Sequence, residues 1–159
     1  AIDGLHEGEI KNGNVRLKMS DVSEIKNINQ DFELNTGSPH YIQMVENAED
    51  FDVFKNGKAI RNSENYLDEG INVNFVEKIS ENEIFVRTYE RGVEDETFSC
   101  GTGVTAAALT MMQNTNEKLI QIKTLGGNLK VSAEKEGKSF QNIWLEGPAT
   151  MVFKGKIKL

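Results

Sequence analysis

The sequence predicts an α+β domain in which a mixed, mostly antiparallel sheet rolls around one central helix. Two observations carry this. Short segments of alternating apolar and polar residues recur along the chain, separated by Asn-Gly, Gly-Gly and single-glycine turns, as strands of a meandering sheet do. The stretch from Val104 to about Gln113 is apolar or alanine on nearly every side, and a helix of that kind is buried all round rather than laid on a surface. A layer of strands with one such helix is satisfied when the sheet encloses it.

The elements follow in order. Residues 6–19 read as a strand pair, His6 to Ile10 and Val15 to Met19, joined at Lys11-Asn12-Gly13-Asn14. Residues 20–30 are polar with little pattern and read as a connection, where a domain boundary belongs. Tyr41 to Val45 reads as a buried strand, with the Gly37-Ser38-Pro39 turn placing His40 at its mouth. Phe51, Phe54 and Ile60 give helical spacing to about residues 50–62, weakened in the middle by Asn56-Gly57. Ile71 to Val76 reads as a strand with Asn72 and Asn74 on one face and large apolar residues on the other. Ser80 to Glu83 turns the chain into a strand over 84–89, and Glu90-Arg91-Gly92 with Glu94-Asp95-Glu96 reads as an exposed loop. After the central helix, Lys118 to Lys123 and Asn128 to Ala133 alternate across Gly126-Gly127. A turn at Gly137 leads to strands over Ile143 to Phe153 and Lys156 to Leu159.

Composition narrows the function. A net charge of −7 over 159 residues argues against nucleic acid or an anionic membrane as the main partner, because both require a basic face. No apolar run approaches the roughly 18 residues of a membrane helix, and no signal peptide is read at the start. A single cysteine excludes an internal disulfide and a multi-cysteine zinc site, and a reducing cytoplasm is the expected compartment.

That cysteine, Cys100, stands just before the central helix. Unpaired N–H groups and the positive end of the helix dipole favour an anion there, either a thiolate or a bound carboxylate, so its pKa can be lowered. A lone cysteine is by default a small buried hydrophobe. Gly101 and Gly103 argue otherwise, since a structural cysteine needs neither, and an exposed loop feeding the position points to function. His40 is a surface or core histidine by default, kept as a candidate because imidazole near a thiol tunes its pKa or exchanges protons with it. Asn72 and Asn74 face water by default, or a polar substrate if they face a cleft. Ala106 stands where a cysteine phosphatase needs arginine, no Lys-Ser or Lys-Thr pair closes a P-loop, and no metal-ligand spacing is present. A Cys100–His40 thiol hydrolase remains open, without a specific signature.

Tyr89-Glu90-Arg91-Gly92 and Ser99-Cys100-Gly101-Thr102-Gly103, with Asn35-Thr36-Gly37-Ser38-Pro39-His40 upstream and Trp144-Leu145-Glu146-Gly147-Pro148-Ala149 downstream, resemble the diaminopimelate epimerase family across essentially the whole chain. The resemblance implies a cofactor-independent, metal-free amino-acid epimerase of two similar domains, each a sheet around a helix with a cysteine at its N-terminus. Cys100 would be the second acid/base cysteine, with His40 tuning it and Glu90 completing the catalytic set beside the distal ammonium. Gly101 and Thr102 N–H groups would hold the reacting carboxylate, Arg91 the distal carboxylate, and Asn72 the distal end. Ser38 stands where the family commonly has a substrate-binding asparagine. The first cysteine lies in a domain that would precede Ala1. Residues 1–22 are then terminal strands of that missing N-terminal domain, 23–147 the C-terminal domain, and 148–159 a strand returning toward the first. The implied setting is a bacterial or plastid cytoplasm, in lysine and peptidoglycan precursor synthesis, with diaminopimelate as substrate. The implied partner is the missing domain, or a homodimer that brings two copies of Cys100 together; the chain alone is expected to be inactive. The alternatives are a proline racemase-like or phenazine-biosynthesis-like isomerase, and a non-catalytic anion-binding module.

Overall fold

The computed structural model describes residues 7–158, and His6 and Leu159 lie outside the described residues. A two-residue Asn12-Gly13 loop, both residues with positive φ, joins β1 (Gly8–Lys11) to β2 (Asn14–Lys18), as the favoured hairpin dipeptide predicts. Next come β3 (Lys26–Ile28), β4 (Asp31–Asn35) and β5 (Pro39–Met44), then helix α1 (Val53–Arg61). Strands β6 (Asn72–Ser80), β7 (Glu83–Glu90) and β8 (Asp95–Thr97) lead into helix α2 (Gly101–Gln113). Strands β9 (Leu119–Thr124), β10 (Gly127–Glu136) and β11 (Ser139–Pro148) follow.

All strands join one mixed sheet in the order β1-β2-β11-β10-β9-β7-β6-β5-β4-β3, with β8 paired to β7. Pairing is antiparallel except at β5–β6 and β7–β9. Beyond β2 the chain keeps to the side of β11, where Met19 N–H donates to the Ile143 carbonyl at 2.9 Å and Val22 exchanges bonds with Phe140. The sheet thereby wraps α2, as the apolar helix predicts. Val104, Leu109 and Met112 are buried against Ile42, Val76, Ile84, Ile120, Ile122, Val131, Phe140 and Ile143. The opposite face carries a smaller core in which Val53 of α1 packs with Ile71, Val73, Phe75 and Tyr89.

Three expectations change. Residues 26–28 are not part of a featureless connection but pair with β4 as a hairpin, and a three-residue edge strand carries too little periodicity to be read. Asp95 and Glu96 of the acidic run, with Thr97, form a strand on β7 rather than an open loop, and Arg87 grips Glu96 with two bonds of 2.7 Å. Residues 149–158 carry no strand, so the expected strands over 149–153 and 156–158 are absent. Among the described residues the last ladder-like bond runs from Ala149 N–H to the Gly13 carbonyl at 2.9 Å, where the β1–β2 turn ends the neighbouring strand.

Asn56-Gly57, a weak point in the sequence of α1, has a packing reason. A Cβ on Gly57 would lie 2.6 Å from Cγ of the buried Tyr89, so the missing side chain sets how closely α1 approaches the sheet. Gly57→Ala should therefore lower stability by about 1–3 kcal/mol despite alanine's better helix propensity. A urea midpoint equal to or above that of the parent chain would show that α1 can shift without cost.

Candidate functional site

The starts of the parallel strands β5 and β6 and the end of β7 meet beneath the N-terminus of α2. Strand β6 places Asn72, Asn74 and Val76 on the α2 side and Ile71, Val73 and Phe75 on the α1 side, the period-2 division expected from the sequence. Asn72 and Asn74 do not face water; both are buried. Asn74 lies under the first turn of α2, where any Cβ on Gly103 would collide with its Oδ1, and this explains the glycine. The helix is tied down a second time by Thr36, whose hydroxyl donates to the Thr102 carbonyl at 2.9 Å.

Cys100 is the N-cap residue of α2, 9% exposed, and makes no capping bond with its side chain. Its sulfur lies 3.5 Å from the Thr102 hydroxyl. That hydroxyl lies 2.9 Å from His40 Nε2 and 3.1 Å from Ser38 Oγ. Ser38 Oγ also lies 2.9 Å from His40 Nε2 and accepts from Asn72 Nδ2 at 3.3 Å. On its far side the imidazole meets Asn74 Nδ2 at 3.0 Å through Nδ1. A continuous polar path thus runs from Cys100 into the sheet, where Asn74 Oδ1 accepts from Thr88 Oγ1 at 2.9 Å.

Asn72 turns toward a second group of residues. Its amide oxygen accepts from the Arg91 backbone N–H at 3.0 Å, and Arg91 Nη1 donates to the Glu69 carbonyl at 2.9 Å. The neighbouring Glu90 carboxylate accepts from Thr97 Oγ1 at 2.8 Å, so β8 holds it in place. Gly101 is exposed at the helix end, beside Leu145. Among the described residues no three His, Cys, Asp or Glu side chains gather closely enough to ligate a metal ion. Likewise, no helix there is long and apolar enough to cross a membrane.

Residues 32–152 match the diaminopimelate epimerase family. The chain belongs to that family. It is 48% identical to a diaminopimelate epimerase of Flavobacterium psychrophilum over 99% of this chain and 62% of the relative. It is 40% identical to one of Chlorobaculum tepidum over 79% of this chain and 49% of that relative. The chain therefore spans about half to three-fifths of these curated relatives. Among solved structures, a hydroxyproline epimerase of Agrobacterium vitis shares the fold, with a TM-score of 0.67 at 15% identity over 92% of this chain and 55% of that one.

The electrostatics of the site correct one expectation taken from helix position. Burial pushes the Cys100 thiol up, and the Glu90 charge adds to this; the Thr102 hydroxyl and the backbone N–H groups of Gly103 and Thr102 oppose it without prevailing. His40 does not touch the sulfur but reaches it through Thr102. Burial, with the Arg91 charge, lowers its pKa to about 3, so the ring is neutral at physiological pH. Among family residues, then, Cys100, Thr102, Ser38, His40 and Asn72 share one network, Arg91 joins it through its backbone, and Glu90 stands beside it. Sequence reasoning assigned no separate role to Thr36, quoted only within its motif, or to Thr88 and Thr97, which look like ordinary strand residues, and it marked Asn74 only as the twin of Asn72.

The depressed His40 pKa has a pH signature. The unfolded chain takes up the proton near histidine's ordinary value of 6.5 and the folded one near 3, so the associated stability is full above pH 6.5 and is lost as pH falls toward 3. Over that window His40→Gln should flatten the loss of stability by on the order of 1 kcal/mol per pH unit relative to the parent chain. Parallel curves in urea titrations across the window would mean that His40 protonates freely in the folded state.

Proposed function

We propose that this chain is the second-cysteine half of a diaminopimelate epimerase, interconverting LL- and meso-diaminopimelate by proton transfer at the α-carbon. The observation that carries the reading is Cys100 at the start of α2, with Arg91 and Glu90 fixed at the neighbouring end of β7. A substrate with an amino-acid head at each end fits that pair of groups: Arg91 can clasp the distal carboxylate and Glu90 the distal ammonium. Gly101 and Thr102 at the helix end would bind the reacting carboxylate, which also disfavours the negative charge building at the α-carbon least when it is held by N–H donors. Asn72 would orient the distal end, and Ser38 would make a shorter contact than the family's asparagine. Proline and dihydroxy-anthranilate analogues lack the distal head, so the Arg91-Glu90 pair favours diaminopimelate.

In the proposed step the Cys100 thiolate takes the α-proton, and a thiol on the opposite face of the carbon delivers another, so the configuration inverts. One cysteine serves one face only. The opposite thiol would come from the preceding domain of the same enzyme, with residues 1–22 and the tail from residue 148 associated with that domain and 23–147 forming the second. A homodimer juxtaposing two Cys100 residues is the other arrangement that would complete the pair. No cofactor enters the proposed step. The pathway would be lysine and peptidoglycan precursor synthesis in the cytoplasm.

The test joins this chain to the segment that precedes the matched region in the Flavobacterium psychrophilum relative and follows the α-protons of LL-diaminopimelate by NMR in D2O. The fusion should form meso product, while the chain alone should not invert the centre. Cys100→Ser in the fusion should cut turnover by about 10²–10⁴, the range for loss of a positioned acid/base group. Undiminished turnover after Cys100→Ser would defeat the proposal, and inversion by the chain alone would replace the preceding domain by the homodimer as the source of the opposite thiol.

A further inference from the structure

One arrangement of hydrogens satisfies every hydrogen-bond partner around Cys100 from within the cluster. Two side-chain amides enter the cluster, and backbone groups fix which way each one faces. Asn72 accepts the Arg91 backbone N–H through Oδ1 at 3.0 Å and donates to the Pro39 carbonyl through Nδ2 at 3.0 Å. Asn74 donates to the Tyr41 carbonyl through Nδ2 at 3.1 Å and accepts from Thr88 Oγ1 through Oδ1 at 2.9 Å. A carbonyl only accepts and a backbone N–H only donates, so neither amide can be reversed. Asn74 Nδ2 therefore donates to His40 Nδ1 as well, at 3.0 Å. In a neutral ring that places the hydrogen on Nε2.

The rest follows by elimination. Nε2–H can only donate, toward Ser38 Oγ and Thr102 Oγ1 at 2.9 Å each. Ser38 Oγ has three partners in the described structure, and two of them, Asn72 Nδ2 and His40 Nε2, are donors. Pairing its own hydrogen inside the cluster sends it to the third, Thr102 Oγ1, at 3.1 Å. Thr102 then has one acceptor left for its hydrogen, the Cys100 sulfur at 3.5 Å.

We propose that Asn74 is a positioning residue for proton transfer at Cys100: it locks His40 in the neutral Nε2–H form and thereby commits the Thr102 hydroxyl to donate to the sulfur. The proposal rests on the reading of Cys100 as the proton-transfer group. It gives His40 the first of the two tasks open to it from the sequence, tuning the thiol rather than exchanging protons with it, because a ring held neutral by burial and by Arg91 orients a donor and moves no proton itself. Thr102 supplies the hydrogen bond that works for the thiolate against burial and the Glu90 charge. It also gives Gly103 its place, since the bare helix turn leaves room for the Asn74 amide beneath it.

Two readouts test this on the 159-residue chain, whose single cysteine makes alkylation unambiguous. Long-range 1H–15N NMR in a His6→Gln background reports which His40 nitrogen carries the hydrogen, and the pH profile of iodoacetamide alkylation reports the Cys100 thiolate. The parent chain should show Nε2–H. In Asn74→Asp the new carboxylate can only accept, so the hydrogen should move to Nδ1, and Nε2 becomes an acceptor that draws a hydroxyl hydrogen away from the sulfur. Alkylation at neutral pH should then slow about tenfold, with the profile displaced upward by about one pH unit, and Thr102→Val should do the same while Thr102→Ser stays near the parent rate. An Nδ1–H signal in the parent chain overturns the proposal, and so does a parental alkylation profile in Thr102→Val. Neither readout involves diaminopimelate, so an inactive fusion would strike the proposed function and leave this result standing.

Discussion

The position of every group around Cys100 depends on one buried contact, the seating of the first turn of α2 on the Asn74 side chain. A helix N-terminus brings unpaired N–H groups, and here they approach the face of a central strand that would ordinarily be apolar. Gly103 allows the approach over Asn74, the Thr36 hydroxyl ties the turn down by donating to the Thr102 carbonyl, and the apolar remainder of α2 fixes the helix axis inside the sheet. Had β6 carried an aliphatic residue in place of Asn74, the helix could still have been buried, but His40 Nδ1 would have been left without its partner, at the cost of an unsatisfied buried polar group.

The same burial creates a conflict at the thiol. Removing Cys100 from water disfavours the thiolate more than Thr102 and the helix-end N–H groups favour it, so the helix end alone does not make this cysteine acidic. That balance suits the acid/base role proposed for Cys100: a strongly stabilised thiolate would be a poor proton acceptor from a carbon acid, and a free thiol would supply none. The neutral His40 fits the same logic, since an imidazolium beside the sulfur would fix it as the anion.

Where local chemistry dictated local structure, the sequence was enough. Asn12-Gly13 specified its hairpin, the all-apolar run after Gly103 specified a helix that the sheet must enclose, and the alternation over Asn72 to Val76 divided the two faces of β6. Long-range pairing was not legible in the same way. Lys26–Ile28 is too short to show a period, Asp95–Thr97 pairs with β7 with Arg87 reaching across to Glu96, and the apolar tail at Met151 to Phe153 looks like a strand yet has no strand partner among the described residues. The site showed the same split. Family motifs located Cys100, His40 and Arg91, but the direction of the hydrogen bonds among them depends on backbone groups of Pro39 and Tyr41, which no side-chain motif records.

The most direct test of a ligand-facing site at the α2 N-terminus is titration of diaminopimelate into the 15N-labelled chain, followed through backbone amide shifts. Shifts concentrated at Gly101, Thr102 and Arg91, and abolished by Arg91→Ala, are the expected result. Shifts confined to the outer surface of β9 to β11, with the α2 N-terminus unmoved at saturating ligand, would contradict it.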